Sequence, residues 1–181
     1  IPLVKNKLIN TNQIIIDSKS GYSGAGRKIE KKLKKIKFLK SMSAYGIGNH
    51  RHTPEINQEL SKFSKRKINV HFTPHIIPVY RGILSTIYLD ISKNYSAKKI
   101  YMFLKKYHKK NFFVKMSKFN TPIGTSDVLN TNKCNISVCE GSKNNKIIII
   151  SAIDNLIKGA SGQAVQNMNV SFKLDESLGL K

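Results

Sequence analysis

Two alternating stretches, Ile68–His75 and Gly82–Ile91, constrain the fold of this chain more tightly than any other feature. Both are rich in β-branched residues and switch between apolar and polar side chains at a period of two. That is the pattern of a strand with one face buried and the other wet. The connection between them, Phe72-Thr73-Pro74-His75-Ile76-Ile77-Pro78-Val79-Tyr80-Arg81-Gly82, carries two prolines and a glycine. Proline lacks an amide donor and fixes its own φ, so this segment predicts a shaped crossover and not a tight hairpin.

The other segments arrange themselves around that pair. Ile1–Ile9 reads as the end of a helix, with Leu3, Val4 and Leu8 on one side and Lys5 and Lys7 on the other. Gln13–Asp17 contains Ile14-Ile15-Ile16, a short buried strand. Lys28–Lys40 spaces Ile29, Leu33, Ile36 and Leu39 helically among lysines, the pattern of a surface helix. Thr53–Lys65 predicts a helix with Ile56, Leu60 and Phe63 inward, and Ser96–Lys110 one with Ile100, Phe103, Leu104 and Tyr107 inward. Asn111–Met116 is a short strand, and Asn120–Asn132 is turn-rich. Asn135–Cys139 and Lys146–Ile153 form a strand pair across Gly141-Ser142-Lys143-Asn144-Asn145. Strands and helices in mixed order, with late hairpin pairing, define an α+β class. The division runs 1–153 for the α+β domain and 154–181 for a C-terminal helix and tail. In that helix Gly159, Ala160, Gly162 and Ala164 leave room for a close neighbour.

A chain of 181 residues with 40% apolar content is long enough for one real core, and disorder is excluded. No apolar run approaches the roughly 20 residues that span a membrane, and no signal-peptide pattern opens the sequence. Cys134 and Cys139 are too few for a disulfide framework and fit a reducing cytoplasm. The first residues are Ile1-Pro2-Leu3 and not methionine, as in a processed product or a fragment. The formal net charge of +22 points at first to nucleic acid. Yet the basic residues are 28 Lys and only 4 Arg, and Ile (24) and Asn (17) are inflated with Lys. All three have A/T-rich codons, and phosphate and base readers lean on the guanidinium. Compositional drift explains the charge without a nucleic-acid or membrane partner.

Two stretches carry chemistry. In Tyr45–Leu60 a short apolar run, read as a strand end, reaches Gly48 and stops at Asn49, and His50-Arg51-His52 follows at once. Thr53 and Pro54 then read as the N-cap and first position of a helix. Such a place favours anionic groups, because free backbone N–H groups and the helix dipole both attract negative charge. Histidine there moves protons near neutral pH, and arginine grips a carboxylate or phosphate. The second stretch, Ser18-Lys19-Ser20-Gly21-Tyr22-Ser23-Gly24-Ala25-Gly26-Arg27, leaves the backbone free to approach a ligand. It has neither dinucleotide-fingerprint nor Walker spacing. His71 and His75 are four apart, but Pro74 breaks the helix face a metal pair needs, and no metal is expected.

SKSGYSGAGRK, NHRHTPEI-x-QEL, FTPH-x-x-P-x-x-RGIL-x-T and DNL-x-KGASGQAVQNMN, in that order and spacing, resemble the C-terminal half of the N-acetyl-gamma-glutamyl-phosphate reductase family. Together they run the length of the chain. The resemblance implies an α+β catalytic and dimerisation domain of the glyceraldehyde-phosphate and aspartate-semialdehyde dehydrogenase type, following an NADP-binding Rossmann half. It implies NADPH-dependent reduction of N-acetylglutamyl phosphate in arginine biosynthesis, by a homo-oligomeric cytoplasmic enzyme. The family's nucleophilic cysteine lies in a PGCYPT segment, which the resemblance places shortly before Ile1. Neither Cys134 nor Cys139 has that context, and both read as packing residues. His50 falls at the catalytic histidine, with His52 as the alternative. Arg51, Arg27 and His52 would hold the substrate's anionic groups; Ser20, Gly21, Ser23 and Gln163 would lie at the nicotinamide. Tyr22 and Lys173 stand where smaller residues are expected. A degenerate, inactive remnant of the enzyme is the alternative reading.

Overall fold

The computed structural model describes residues 1–25 and 40–181. The basic helix expected over 28–40 therefore lies, except for Lys40, outside the described residues, as does Arg27. The strands are β1 (Ile9–Gly21), β2 (Ser43–Ala44), β3 (Val70–Ile77), β4 (Ile83–Ile91), β5 (Val114–Met116), β6 (Cys134–Glu140) and β7 (Lys146–Ile153). They form a seven-stranded mixed sheet in the order β2-β3-β1-β4-β7-β6-β5. β1 lies between β3, to which it is parallel, and β4, to which it is antiparallel. The connection is shorter than Phe72–Gly82, because β3 runs on through Pro74 to Ile77; what remains, from Pro78 to Gly82, carries the chain across β1 as the expected crossover. β6 and β7 pair antiparallel, also as expected.

β1 is longer than Gln13–Asp17. After buried Ile9 its thirteen residues run through polar Asn10–Gln13, where pairing with β4 shifts register between Asn10 and Ile15. They end in Ser18-Lys19-Ser20-Gly21, which reads as a loop by composition. The isoleucine run is not buried on both faces either. Ile14 is 3% exposed and Ile15 37%, since successive side chains leave a strand on opposite faces.

Four α-helices accompany the sheet among the described residues: α1 (Pro2–Lys5), α2 (His52–Ser64), α3 (Ala97–Tyr107) and α4 (Gly162–Ser171). α1 is a single turn, because Lys7 takes a positive φ (55°) and turns the chain into β1. α3 starts where Ser96 caps it, the hydroxyl accepting from Lys99 N at 3.3 Å. Its buried stripe is Ala97, Ile100, Tyr101 and Leu104. Tyr107, expected inward, is 48% exposed. It is the last helical residue, and its ring stacks along Phe103 at 6.1 Å instead of reaching the sheet.

One core forms between the sheet and α1, α2 and α3. Leu3, Val4, Ile100 and Leu104 meet Ile14, Val70, Leu89, Val138, Ile147 and Ile149, with Ile56 and Leu60 of α2 packed against them. Each such side chain, fully buried, contributes about 1.5–3 kcal/mol relative to exposure. The opposite face is partly covered at β6, where buried Ser137 donates to Thr121 O. Nearer β1 it is open, and the cross-strand neighbours Ile15 and Tyr88 (42% exposed) stand side by side there. The C-terminal tail folds back on the domain. Asn169, 1% exposed, donates to Glu176 O and Leu178 O, and Asn132 N donates to Lys181 O.

Candidate functional site at the strand ends

The parallel strands β1 and β3 end together, beside the start of β4 and the end of β7. At this edge the glycine-rich segment is a built structure and not a free loop. After Gly21 the chain makes a 3-10 turn, Tyr22–Ala25. Its backbone is tied to the crossover: Gly21 N donates to Gly82 O (2.8 Å), Tyr22 N to Val79 O (2.9 Å) and Ser23 N to Tyr80 O (3.0 Å). A Cβ at Gly21 would sit 2.7 Å from Tyr80 O and Arg81 N, so only glycine permits this approach. Tyr22, larger than expected, is accommodated edge-on against Tyr80 (5.4 Å between ring centres).

Two neighbouring residues after β7 lock the edge. Asp154 is 0% exposed. Its Oδ1 accepts from Leu156 N (2.8 Å) and Ile157 N (3.0 Å), and its Oδ2 from Asn130 N (2.7 Å) while pairing with Arg81 at 3.3 Å. Asn155, 6% exposed, accepts from Gly82 N through Oδ1 (2.6 Å) and donates from Nδ2 to Ser23 Oγ (2.9 Å). Arg81 also donates to Asn130 Oδ1. Asp154, Asn155 and Arg81 were not singled out by sequence reasoning. The signal available was the Asp-Asn pair between a strand and a small-residue helix start, a place where such side chains serve backbone amides.

His50, Arg51 and His52 come together as the sequence predicts, but their setting differs in two ways. The preceding strand ends at Ala44, and a turn through Gly46 (φ 57°) and Gly48 (φ 76°) intervenes, so His50 does not follow a strand end. α2 begins at His52, not Thr53, with Arg51 in helical conformation at the N-cap and no side-chain cap. Pro54 is compatible with any position in the first turn, whose amides have no intrahelical partner, so it marks the turn and not its first residue.

The His50 ring is held by aromatic edges: Tyr45 (5.3 Å), His52 (4.9 Å) and Phe72 (5.2 Å). Its Nδ1 accepts from His52 N at 3.3 Å, which leaves the neutral ring's proton on Nε2. Burial, then His52, then Arg51 lower the His50 pKa below the usual histidine value. Burial raises that of Tyr45, with Arg51 opposing.

Phe72 pairs with Ile16, four residues before Ser20, and both pack on the helix-bearing face. At about 3.3 Å per residue the Phe72 level lies roughly 13 Å along the strand from the Ser20 level, while Tyr45, also against the His50 ring, bonds Pro74 O, two residues nearer. No hydrogen bond or ring contact joins the two groups among the described residues. Gln163, at the start of α4 and after a π turn over Ile157–Ser161, is exposed. Gly159, Ala160 and Ala164 are exposed too, while Gly162 is buried against Asn132 and Ile157. His75 lies on the opposite face of β3, 3.2 Å from Asp17. No group of three metal-ligating side chains converges among the described residues. A hollow of about 640 Å³ lies elsewhere, between the end of α3, β5 and the Asp175-Glu176 tail. Five lysines are among its lining residues and it holds none of the residues above, whereas Asp154, Asn155 and Ser23 are buried together at the strand-end edge.

Residues 1–155 match the semialdehyde dehydrogenase dimerisation domain, and the chain belongs to that family. It is 44% identical over 179 residues to the N-acetyl-gamma-glutamyl-phosphate reductase of Clostridium novyi (strain NT), covering 99% of this chain and 51% of that protein. With the enzyme of the same name from Staphylococcus aureus (strain MRSA252) it shares 41% over 180 residues, 99% of this chain and 52% of that one. The chain thus spans about half the length of the curated relatives it matches. In solved structures, aspartate semialdehyde dehydrogenase II from Vibrio cholerae has the same fold, with a TM-score of 0.67 at 17% identity over 93% of this chain and 59% of that one. The aspartate semialdehyde dehydrogenase from Francisella tularensis gives 0.66 at 14%, over 88% and 57%. The α+β assignment and the resemblance read from the four motifs both hold.

Proposed function

We propose that this chain is the substrate-facing, dimer-forming half of an NADPH-dependent reductase that converts N-acetyl-gamma-glutamyl phosphate to its semialdehyde in the cytoplasm. The observation that carries this reading is the 40–44% identity, over 99% of the chain, to proteins bearing that name. The reaction forms a thioester on a cysteine with loss of phosphate, and bound NADPH supplies the hydride that reduces it. His50 serves the proton steps. Its Nε2 carries the proton of the neutral ring, and its lowered pKa makes the imidazolium a readier acid toward a developing oxyanion. Arg51 and His52, exposed at the start of α2, suit the carboxylate or phosphate of an anionic substrate through their side chains. Arg27 belongs to the same proposal by resemblance alone.

A nicotinamide carboxamide needs one donor and one acceptor, and the exposed Gln163 amide offers both. Ser20, Gly21 and Ser23 belong to the same proposal by resemblance. The exposed small residues Gly159, Ala160 and Ala164 leave space for a cofactor domain to pack closely against residues 154–181. The partner in assembly is a second copy. The open sheet face with Ile15 and Tyr88 offers an apolar surface for it.

The test is a complete reductase with this chain as its C-terminal half, assayed in reverse. N-acetylglutamate semialdehyde should reduce NADP only when phosphate is supplied, and aspartate semialdehyde should be the poorer substrate. Equal turnover of both aldehydes, or turnover independent of phosphate, contradicts the assignment.

A further inference from the structure

We infer that Asn155 is a positioning residue of this site, holding the Ser23 hydroxyl as a hydrogen-bond donor to an oxygen of the bound substrate. The inference rests on the reductase reading above. Both ends of the buried Asn155 amide are committed inside the protein: Oδ1 to Gly82 N at 2.6 Å and Nδ2 to Ser23 Oγ at 2.9 Å. A serine hydroxyl has one proton to give and two lone pairs to offer. Nδ2 fills a lone pair, so the Ser23 proton must point away from Asn155. Among the described residues the Ser23 hydroxyl has no acceptor. A hydroxyl left without an acceptor beside a buried amide is costly unless a ligand completes it.

The surroundings leave Ser23 little freedom to escape this geometry. Its own N–H is bound to Tyr80 O, and the preceding Gly21 and Tyr22 are bound to Gly82 and Val79. Gly82, the other end of the Asn155 bridge, has φ 108° and lies against Thr125, so it too is fixed. Asp154, one residue before, is pinned by three backbone amides and Arg81. Asn155 is therefore presented by a rigid support, as a group that orients another must be.

Asn155→Asp separates orientation from mere support. The carboxylate still accepts from Gly82 N, but it cannot donate to Ser23. The hydroxyl turns inward to donate to it and is lost to the substrate. In the complete reductase kcat should fall about 100-fold with KM little changed, the scale of one lost donor to a developing oxyanion. Activity should recover as pH falls, because a protonated carboxyl donates to Ser23 as the amide did. Ser23→Ala should lose the same factor when assayed well below its unfolding range, with a lowered thermal midpoint because it leaves Asn155 Nδ2 unpaired. The double variant should be no worse than either single one, the signature of two residues acting as a unit. Full activity in Asn155→Asp, or losses that multiply in the double variant, overturns the inference while leaving the reductase reading intact. An unsubstituted enzyme that does not reduce the acyl phosphate overturns both.

Discussion

Replacing Asp154 by alanine tests whether the strand-end edge is held as described. The carboxylate is 0% exposed and receives three backbone amides, from Asn130, Leu156 and Ile157, at 2.7 to 3.0 Å, besides the Arg81 guanidinium at 3.3 Å. Hydrogen bonds to a charged group are worth about 1.5–3 kcal/mol each, and they do not add. Removing one partner of a buried ion pair costs about 3–5 kcal/mol, because the other is left uncompensated. Arg81 keeps Asn130 as a partner, and its side chain is 26% exposed, so the lower end of that range applies. The expected loss is about 3 kcal/mol. Asp154→Asn keeps an acceptor for the Leu156 and Ile157 amides but puts an amide donor opposite Asn130 N and Arg81, so it should lose about 2 kcal/mol. Urea denaturation followed by circular dichroism measures both, with an unchanged m value showing that the native state is intact. A loss below about 1 kcal/mol for the alanine variant would mean that water replaces the carboxylate, and that this residue does not hold the edge.

Gly21→Ala should cost about 1–3 kcal/mol and most of the activity, since its Cβ would meet Tyr80 O and Arg81 N at 2.7 Å; an unchanged thermal midpoint argues against the close approach. Because the folded-state pKa of His50 is lowered, the unfolded chain takes up this proton first. The His50 contribution to stability is present in full above the ordinary value of about 6.5 and is lost as pH falls through the folded value. Urea midpoints of His50→Gln should therefore fall less than those of the parent chain across that window, and parallel profiles would count against it. Tyr88→Glu, on the open sheet face, should shift the sedimentation coefficient toward that of a monomer; a dimer that survives it uses another surface.

The sheet was legible in the sequence where burial differs between faces. β3 and β4 alternate, and Pro78 and Gly82 between them announce the crossover over β1, whereas Pro74 stands within β3. β1 itself was only partly legible, because its C-terminal half is spelled by residues that compose loops. Ser18, Ser20 and Gly21 are in the sheet for contacts that lie far along the chain: Ser18 Oγ bonds Ser85 Oγ at 2.7 Å, and Gly21 reaches Gly82. Propensity cannot see such tertiary partners. The same limit hid Asp154 and Asn155, whose roles depend on Asn130, Arg81, Gly82 and Ser23. His50 and its neighbours were visible as residue types, yet their order of elements was misjudged. Gly46 and Gly48, both with positive φ, insert a turn where an apolar run predicts a strand. Tyr107 illustrates the reverse, a residue with correct helical spacing that lies at the helix end.

The central claim is that His50 handles the proton in acyl-phosphate reduction, and paired substitution in the complete reductase tests it most directly. His50→Asn should lower kcat by about 10²–10⁴-fold with KM largely kept, the usual contribution of a general acid–base. His52→Asn should cost far less, because that side chain is exposed on the first turn of α2, meets His50 edge-on beside Tyr45 and Phe72, and leaves in place the backbone amide that serves His50 Nδ1. Greater damage from His52→Asn would exchange the two roles. Less than about a tenfold loss from either would place the acid elsewhere and contradict the account.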